Sequence, residues 1–181
     1  MFLFSQRRRR ARDAAQALYA SAVEAARRPV LFEELGVPDT LDGRFEMITL
    51  HLFPIIHRLM PADADPELAR VVSETFVNEM DAALREMGVG DLTVPKRMKV
   101  LYRSFAGRVS AYSKAVDENP AALRAAVARN VYPEGDPQGC AGPMAAYLRL
   151  LVDTLGRNSL DELRSGSVTF PEPATTEQVK P

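Results

Sequence analysis

The chain has too few cysteine and histidine residues for most covalent or metal-based sites. Among its 181 residues there are one cysteine, Cys140, and two histidines, His51 and His57. One cysteine cannot form an internal disulfide, which fits a reducing compartment. The two histidines are six residues apart and therefore lie on different faces of a helix, so they do not form a zinc site with Cys140. We expect no metal, no cofactor and no enzyme activity.

The chain also lacks a long apolar run and an excess of charge of one sign. Its longest apolar segments, residues 48–56 and 144–152, fall short of the roughly 20 residues that a membrane span needs. In residues 1–12 the apolar residues precede the basic ones, which is the reverse of a secretory signal. A net charge of −1 argues against a general nucleic-acid binder, and 46% hydrophobic residues suffice for a core.

Helical periodicity runs through most of the sequence. Apolar residues recur every three or four positions, and alternation typical of strands is absent. The pattern predicts helices over residues 9–28, 39–59, 66–87, 94–117, 120–130 and 143–155, with a short final turn at 159–164. We therefore predict an all-α, single compact domain of about six or seven helices over residues 9–164. A flexible basic N-terminus (1–8) and a disordered, proline-rich tail (165–181) flank it.

The predicted helix over residues 94–117 has a basic face. Six basic residues and no acidic residue lie between Pro95 and Lys114. Apolar side chains form one stripe along this helix, and Lys96, Lys99, Arg103 and Lys114 fall on another face. Two interpretations stay open on these residues alone. The basic face either pairs with the acidic residues of the preceding helix or binds a partner or phospholipid. Those acidic residues are Glu74, Glu79, Asp81 and Glu86.

A second basic cluster, residues 7–10 with Arg12, follows the apolar residues 1–4. An anionic membrane surface attracts such a cluster by about 1 kcal/mol per charge near the surface. A frayed basic terminus explains the same residues equally simply, so the pattern does not decide between the two.

Two segments resemble a known family, the ubiquinol–cytochrome c chaperones. They are GVPDTLDGRFEMITLH at residues 36–51 and MDAALREMGVGDLTVPKRMKVLYRSFAGRVSAY at residues 80–112. The resemblance extends over residues 18–155. It implies an all-α protein without enzymatic activity that assists assembly of the cytochrome bc1 complex. It also implies newly made cytochrome b as client, with the ribosome and a small partner chaperone as further partners. The high arginine and alanine content suggests a bacterial genome. The expected location is then the bacterial cytoplasm, peripherally at the inner face of the inner membrane, or the mitochondrial matrix in a eukaryote.

The basic helix is the candidate site for these partners, because an apolar client and anionic RNA would both fit an apolar groove flanked by cations. The residues that we expect to contribute to the client or ribosome surface are Lys96, Lys99, Tyr102, Arg103, Phe105 and Arg108. One rival is a helical nucleic-acid-binding regulator, for which the helices are too long and the turn is wrong, so we expect no sequence-specific nucleic-acid binding. The other is an enzyme with a helical cofactor pocket, for which the sequence has few convergent titratable residues.

Overall fold

The computed structural model describes residues 2–136 and 138–174, and within these residues it contains eight helices and no strand. The helices are α1 (Phe2–Ala26), α2 (Pro29–Glu33), α3 (Leu41–Leu59), α4 (Pro66–Glu86), α5 (Val94–Glu118), α6 (Pro120–Val131), α7 (Ala141–Gly156) and α8 (Leu160–Arg164). The all-α prediction is confirmed. Six helices are long, and α2 and α8 have five residues each; α2 was not predicted.

Three of the long helices begin where a side chain accepts a hydrogen bond from a free backbone N–H of the first turn. Thr40 accepts from Gly43 before α3, Asp65 from Leu68 before α4, and Asn119 from Ala122 before α6. Thr93 precedes α5, but its side chain makes no such bond. Local sequence therefore determines the start of half of the long helices.

Helix α3 is the centre of the domain and contacts α1, α4, α5, α6 and α7. All side chains from residue 49 to residue 56 are buried, so this helix has no solvent-exposed face along that stretch. The surrounding helices bury only one stripe each against it. The result is one continuous apolar core that extends from Ala14 to Phe170.

Helices α4 and α5 form an antiparallel pair joined by a short turn. Gly88, with a φ of 77°, ends α4, and the N–H of Val89 donates to the carbonyl of Leu84. The rings of Phe76 and Phe105 stack at 4.3 Å between centroids, which holds the two helices together. The apolar stripe predicted for α5 faces the core, because Val94, Phe105 and Tyr112 are buried.

Both ends of the domain differ from the prediction. Helix α1 begins at Phe2 and not at residue 9. The prediction of disorder is wrong for residues 165–174, because Phe170 is only 7% exposed and its ring lies 5.5 Å from that of His51. Gly166, with a φ of 79°, is packed so closely on α1 that a Cβ atom there would lie 2.7 Å from that of Ala17. Residues 175–181 lie outside the described residues, and the tail prediction for them stays a prediction.

Candidate partner-binding surface

An open groove of about 1810 Å³ runs along one side of the domain. Half-buried apolar side chains form its floor, and they come from α2, α3, α4 and α5. These residues are Phe32, Phe45, Ile48, Met80, Leu84 and Leu101. Residues 36–44 form one wall, and residues 129–136 close one side. The floor of the groove is therefore built by four helices that pack on the core.

The sequence Asp-Gly-Arg-Phe-Glu at residues 42–46 shapes one wall of this groove. At Gly43 a Cβ atom would lie 1.9 Å from the carbonyl oxygen of Pro38, so only glycine fits. Arg44 donates from Nε to Oδ1 of Asp39 at 2.8 Å, which ties the first turn of α3 to the preceding loop. The motif is specific because it folds residues 38–46 into a compact wall.

A buried ion pair lies at the floor of the groove. Arg108 donates from Nε to both carboxylate oxygens of Glu46, at 2.6 and 2.7 Å, and Glu46 is only 4% exposed. The guanidinium carbon also lies 5.3 Å from the centroid of the Phe45 ring. Burial raises the pKa of Glu46, and the Arg108 charge opposes that rise. This pair joins α3 to α5 and leaves neither charge free for a ligand.

The six predicted site residues separate into two groups. Phe105 is 3% exposed in the core, and Arg108 is held by Glu46. The other four, Lys96, Lys99, Tyr102 and Arg103, are exposed on the outer side of α5. The structure therefore brings these four together on one surface beside the groove, and their role in binding stays a prediction.

The basic face of α5 does not pair with the acidic residues of α4 in the described structure. Glu74 pairs with Arg70, Asp81 pairs with Arg85, and Glu79 accepts a hydrogen bond from Gln16 of α1. Among residues 2–136 and 138–174, the side chains of Lys96, Lys99 and Arg103 have no ion pair or hydrogen bond. The interpretation that the basic face pairs with the preceding helix is therefore wrong.

Sequence reasoning missed a set of exposed apolar residues at the groove. Leu41 is 68% exposed, Met87 52% and Val100 59%, and all three line the groove. Leu92, in the turn between α4 and α5, is 98% exposed. Val100 lies off the apolar stripe of α5, and this mismatch was the one available signal in the sequence. Exposed apolar residues that converge on one concavity are typical of an interaction site.

The histidine and cysteine side chains have structural contacts. His51 is fully buried, with Nδ1 2.8 Å from the carbonyl oxygen of Met47 and Nε2 2.9 Å from the hydroxyl of Tyr147. Burial lowers the pKa of His51 to about 4, so the ring is neutral at physiological pH. Burial also raises the pKa of Cys140, whose thiol donates to the carbonyl of Glu34. No cluster of three or more His, Cys, Asp or Glu residues suited to a metal ion occurs in the described residues.

A sequence model described as ubiquinol–cytochrome C chaperone matches residues 33–170. The chain belongs to this family. The match includes most of the groove, all of α5 and the C-terminal segment as far as Phe170, which agrees with the ordered packing of that segment.

Two relatives illustrate the range of the family. The chain is similar to the ubiquinol-cytochrome-c reductase complex assembly factor 1 of Xenopus laevis, with 24% identity over 119 residues. That match covers 65% of this chain and 60% of the frog protein, so it spans less than two thirds of the relative. The crystal structure of the Cbp3 homolog from Brucella abortus is similar with a TM-score of 0.82 and 35% identity, over 94% of this chain and 95% of that one. Within residues 2–136 and 138–174, no helix is long and apolar enough to cross a membrane.

Proposed function

We propose that this chain is a non-enzymatic chaperone for assembly of the ubiquinol–cytochrome c reductase (bc1) complex, and that newly made cytochrome b is its client. Membership of the chaperone family supports the first part. The apolar groove supports the second, because a membrane-protein client presents apolar segments before it inserts. The proposed location is peripheral, at the inner face of the bacterial inner membrane.

The convergence of Leu41, Met87 and Val100 on the groove is the observation that carries the proposal. A folded chain loses stability when it exposes large apolar side chains without a partner, so three of them around one concavity indicate an occupant. The groove volume of about 1810 Å³ equals about four turns of a helix roughly 10 Å across. An apolar or amphipathic helix of the client is therefore the occupant that we propose.

The groove suits binding better than catalysis. Its central charges, Glu46 and Arg108, neutralise each other, and Arg44 pairs with Asp39 at the rim. Association with the ribosome and with a small partner chaperone belongs to the same proposal. Both are tested separately, by crosslinking from single cysteines placed around the groove after Cys140 is replaced.

The test replaces the three exposed groove residues with glutamate, as Leu41→Glu, Met87→Glu and Val100→Glu, singly and together. Tagged full-length protein is recovered from its native membranes in mild detergent, and co-purified bc1 subunits are identified. We expect the wild-type chain to recover cytochrome b and the triple variant to lose it. Because all three side chains are more than half exposed, the thermal unfolding midpoint should change little.

Leu150→Glu is the matched control. Leu150 is 42% exposed on α7 and does not line the groove, so this variant adds the same charge at an equivalent apolar position. It should recover cytochrome b as well as the wild type does. The proposal fails if the wild-type chain recovers no bc1 subunit, or if the groove triple variant recovers cytochrome b undiminished.

A further inference from the structure

The turn between α4 and α5 and the outer side of α5 form a surface that the proposed client groove does not use. We call this surface the α4–α5 edge and define it by Leu92, Lys96, Lys99, Tyr102 and Arg103. All five residues are exposed, with Leu92 at 98% and Tyr102 at 54%. The edge thus combines a projecting leucine, a tyrosine and three cations.

The three cations lie on the side of α5 that points away from the core. At about 100° per residue, Lys96, Lys99 and Arg103 fall within an arc of about 60°, opposite to Phe105. No acidic residue of α5 lies near these cations, because its only acids, Asp117 and Glu118, are in the last turn, about 20 Å along the helix axis from Arg103. Within the described ranges none of the three cations is neutralised by another part of the chain, so their charge is available to an external anion.

The exposed Leu92 indicates which kind of anion the three cations contact. An RNA contact needs cations against phosphates, but a leucine that projects fully into solvent contributes nothing to it. An anionic bilayer uses every component, because lipid phosphates attract the cations and the headgroup boundary accepts leucine and tyrosine. We propose that the α4–α5 edge docks on an anionic phospholipid bilayer, with Leu92 in the headgroup–acyl boundary and the three cations facing lipid phosphates.

This docking goes beyond client binding and does not depend on it, but it has a consequence for the groove. Val100 and Arg97 lie on the flank of α5 between the basic side and the groove, and both line the groove. A bilayer that touches the α4–α5 edge therefore lies beside the groove mouth. An apolar segment could then pass between groove and bilayer over a short distance.

The N-terminal arginines are the competing membrane contact, and the structure disfavours them. Arg9 pairs with Asp13 at 4.0 Å, and Arg7 and Arg8 lie close enough to Glu67 to contribute to its lowered pKa. Acidic residues thus offset part of this cluster. Glu67 is in the first turn of α4, so the cluster lies about 30 Å from the α4–α5 turn, at the other end of a 21-residue helix. The two clusters can therefore be mutated independently.

The first experiment measures flotation of the full-length protein with phosphatidylcholine vesicles, with and without phosphatidylglycerol. We expect binding to the anionic vesicles only, with a marked decrease at high salt. The combined variant Lys96→Glu, Lys99→Glu and Arg103→Glu should bind on the order of 100-fold more weakly, at about fivefold for each cation lost. The charge-matched control, Arg7→Glu, Arg8→Glu and Arg10→Glu, should retain most of the binding.

The second experiment reports on the leucine. The chain contains no tryptophan, so Leu92→Trp introduces a single tryptophan at the tip of the turn. We expect its emission to shift to shorter wavelength with anionic vesicles and to stay unchanged with neutral ones. Leu150→Trp, at an exposed site on α7, should show no shift with either kind of vesicle.

Four outcomes overturn the proposal. They are failure of the wild-type chain to bind anionic vesicles, loss of binding in the N-terminal control but not in the α5 variant, an unshifted Leu92→Trp emission on vesicles, and binding to RNA in place of vesicles. Because the vesicles contain no client, none of these results bears on the proposed chaperone function. Loss of cytochrome b recovery in the groove variants likewise leaves the bilayer proposal intact.

Discussion

Two regions of the molecule use apolar residues in opposite ways. In the first, which we call the C-terminal clasp, His51 and Tyr147 of the core meet Phe170, and Arg28 holds the backbone of that segment. Arg28 donates to the carbonyl of Phe170 at 3.0 Å and to that of Pro171 at 2.6 Å. In the second region, the groove and the α4–α5 edge, large apolar residues are exposed, and the three cations of the edge have no partner among the described residues.

The difference teaches that composition does not determine burial in loops. Phe170 and Leu92 both lie outside helices, in segments rich in glycine or proline, yet one is 7% and the other 98% exposed. Phe170 is buried because Arg28 satisfies two backbone carbonyls and because the His51 ring forms a contact for its side chain. Leu92 has no comparable contacts. The contacts of the clasp stabilise the fold, whereas the groove and the α4–α5 edge remain free to present a binding surface.

The largest effect should come from removing the aromatic centre of the clasp. Tyr147 is 3% exposed, so Tyr147→Ala should lower the free energy of unfolding by about 3–5 kcal/mol, since a large cavity remains and His51 loses its hydroxyl partner. Leu92→Ser, in contrast, should change it by less than about 0.5 kcal/mol. Urea denaturation followed by circular dichroism measures both. Equal losses in the two variants would contradict the distinction between the regions.

Acid should weaken the clasp through His51. Burial lowers the pKa of His51 from 6.5 to about 4 in the folded chain, whereas the unfolded chain binds a proton near the ordinary value. Below the ordinary pKa of histidine, the unfolded state thus binds more protons than the folded state. The contribution of His51 to stability is therefore fully present at a pH above that value, and it decreases as the pH falls towards 4. The loss should be about 2 kcal/mol between about pH 7 and about pH 5.

The His51 contribution can be separated from that of other groups. His51→Gln keeps a polar side chain but does not titrate, so its stability should change less over the same pH interval, although its stability at neutral pH is lower. Denaturation midpoints at several pH values give the slope for both proteins. A slope that is the same in the variant and the wild type would assign the acid sensitivity to carboxylates.

Most of the fold was predictable because its determinants are local. Periodicity located the six long helices, and the capping residues Thr40, Asp65 and Asn119 lie next to the helices that they begin. The clasp was not predictable, because Arg28 and Phe170 are 142 residues apart and a proline-rich segment by itself resembles disorder.

The site was predictable in part for the same reason. The helical periodicity of α5 alone predicts which of its residues are exposed. The same periodicity places Phe105 in the apolar stripe, and the structure shows it buried in the core. The pairing of Arg108 with Glu46 depends on a residue 62 positions away, and the floor of the groove depends on four helices. Nothing local in the sequence encodes either one.

A smaller and more local effect should follow from Arg28→Ala. This change removes hydrogen bonds from a charged donor to two backbone carbonyls and to the Tyr147 hydroxyl, and a contact with Glu172 at 3.2 Å, so we expect a loss of about 2 kcal/mol. Residues 166–174 should gain hydrogen–deuterium exchange while α3 stays protected. Arg27→Ala, at the exposed neighbouring residue, is the control and should leave exchange in this segment unchanged.

The smallest effect is expected at Gly107, and the same substitution at Gly43 should have the opposite sign and a larger size. Gly107 lies within α5, and a Cβ atom added there would meet no neighbouring atom within 4 Å, so Gly107→Ala should raise the free energy of unfolding by about 1 kcal/mol through helix propensity. Gly43→Ala should lower it, because the added Cβ would lie 1.9 Å from the carbonyl oxygen of Pro38. Thermal unfolding of the two variants side by side measures both signs. If Gly107→Ala is instead destabilising, the outer side of α5 is not open in the isolated chain, and the contrast between a closed clasp and an open edge fails at that helix.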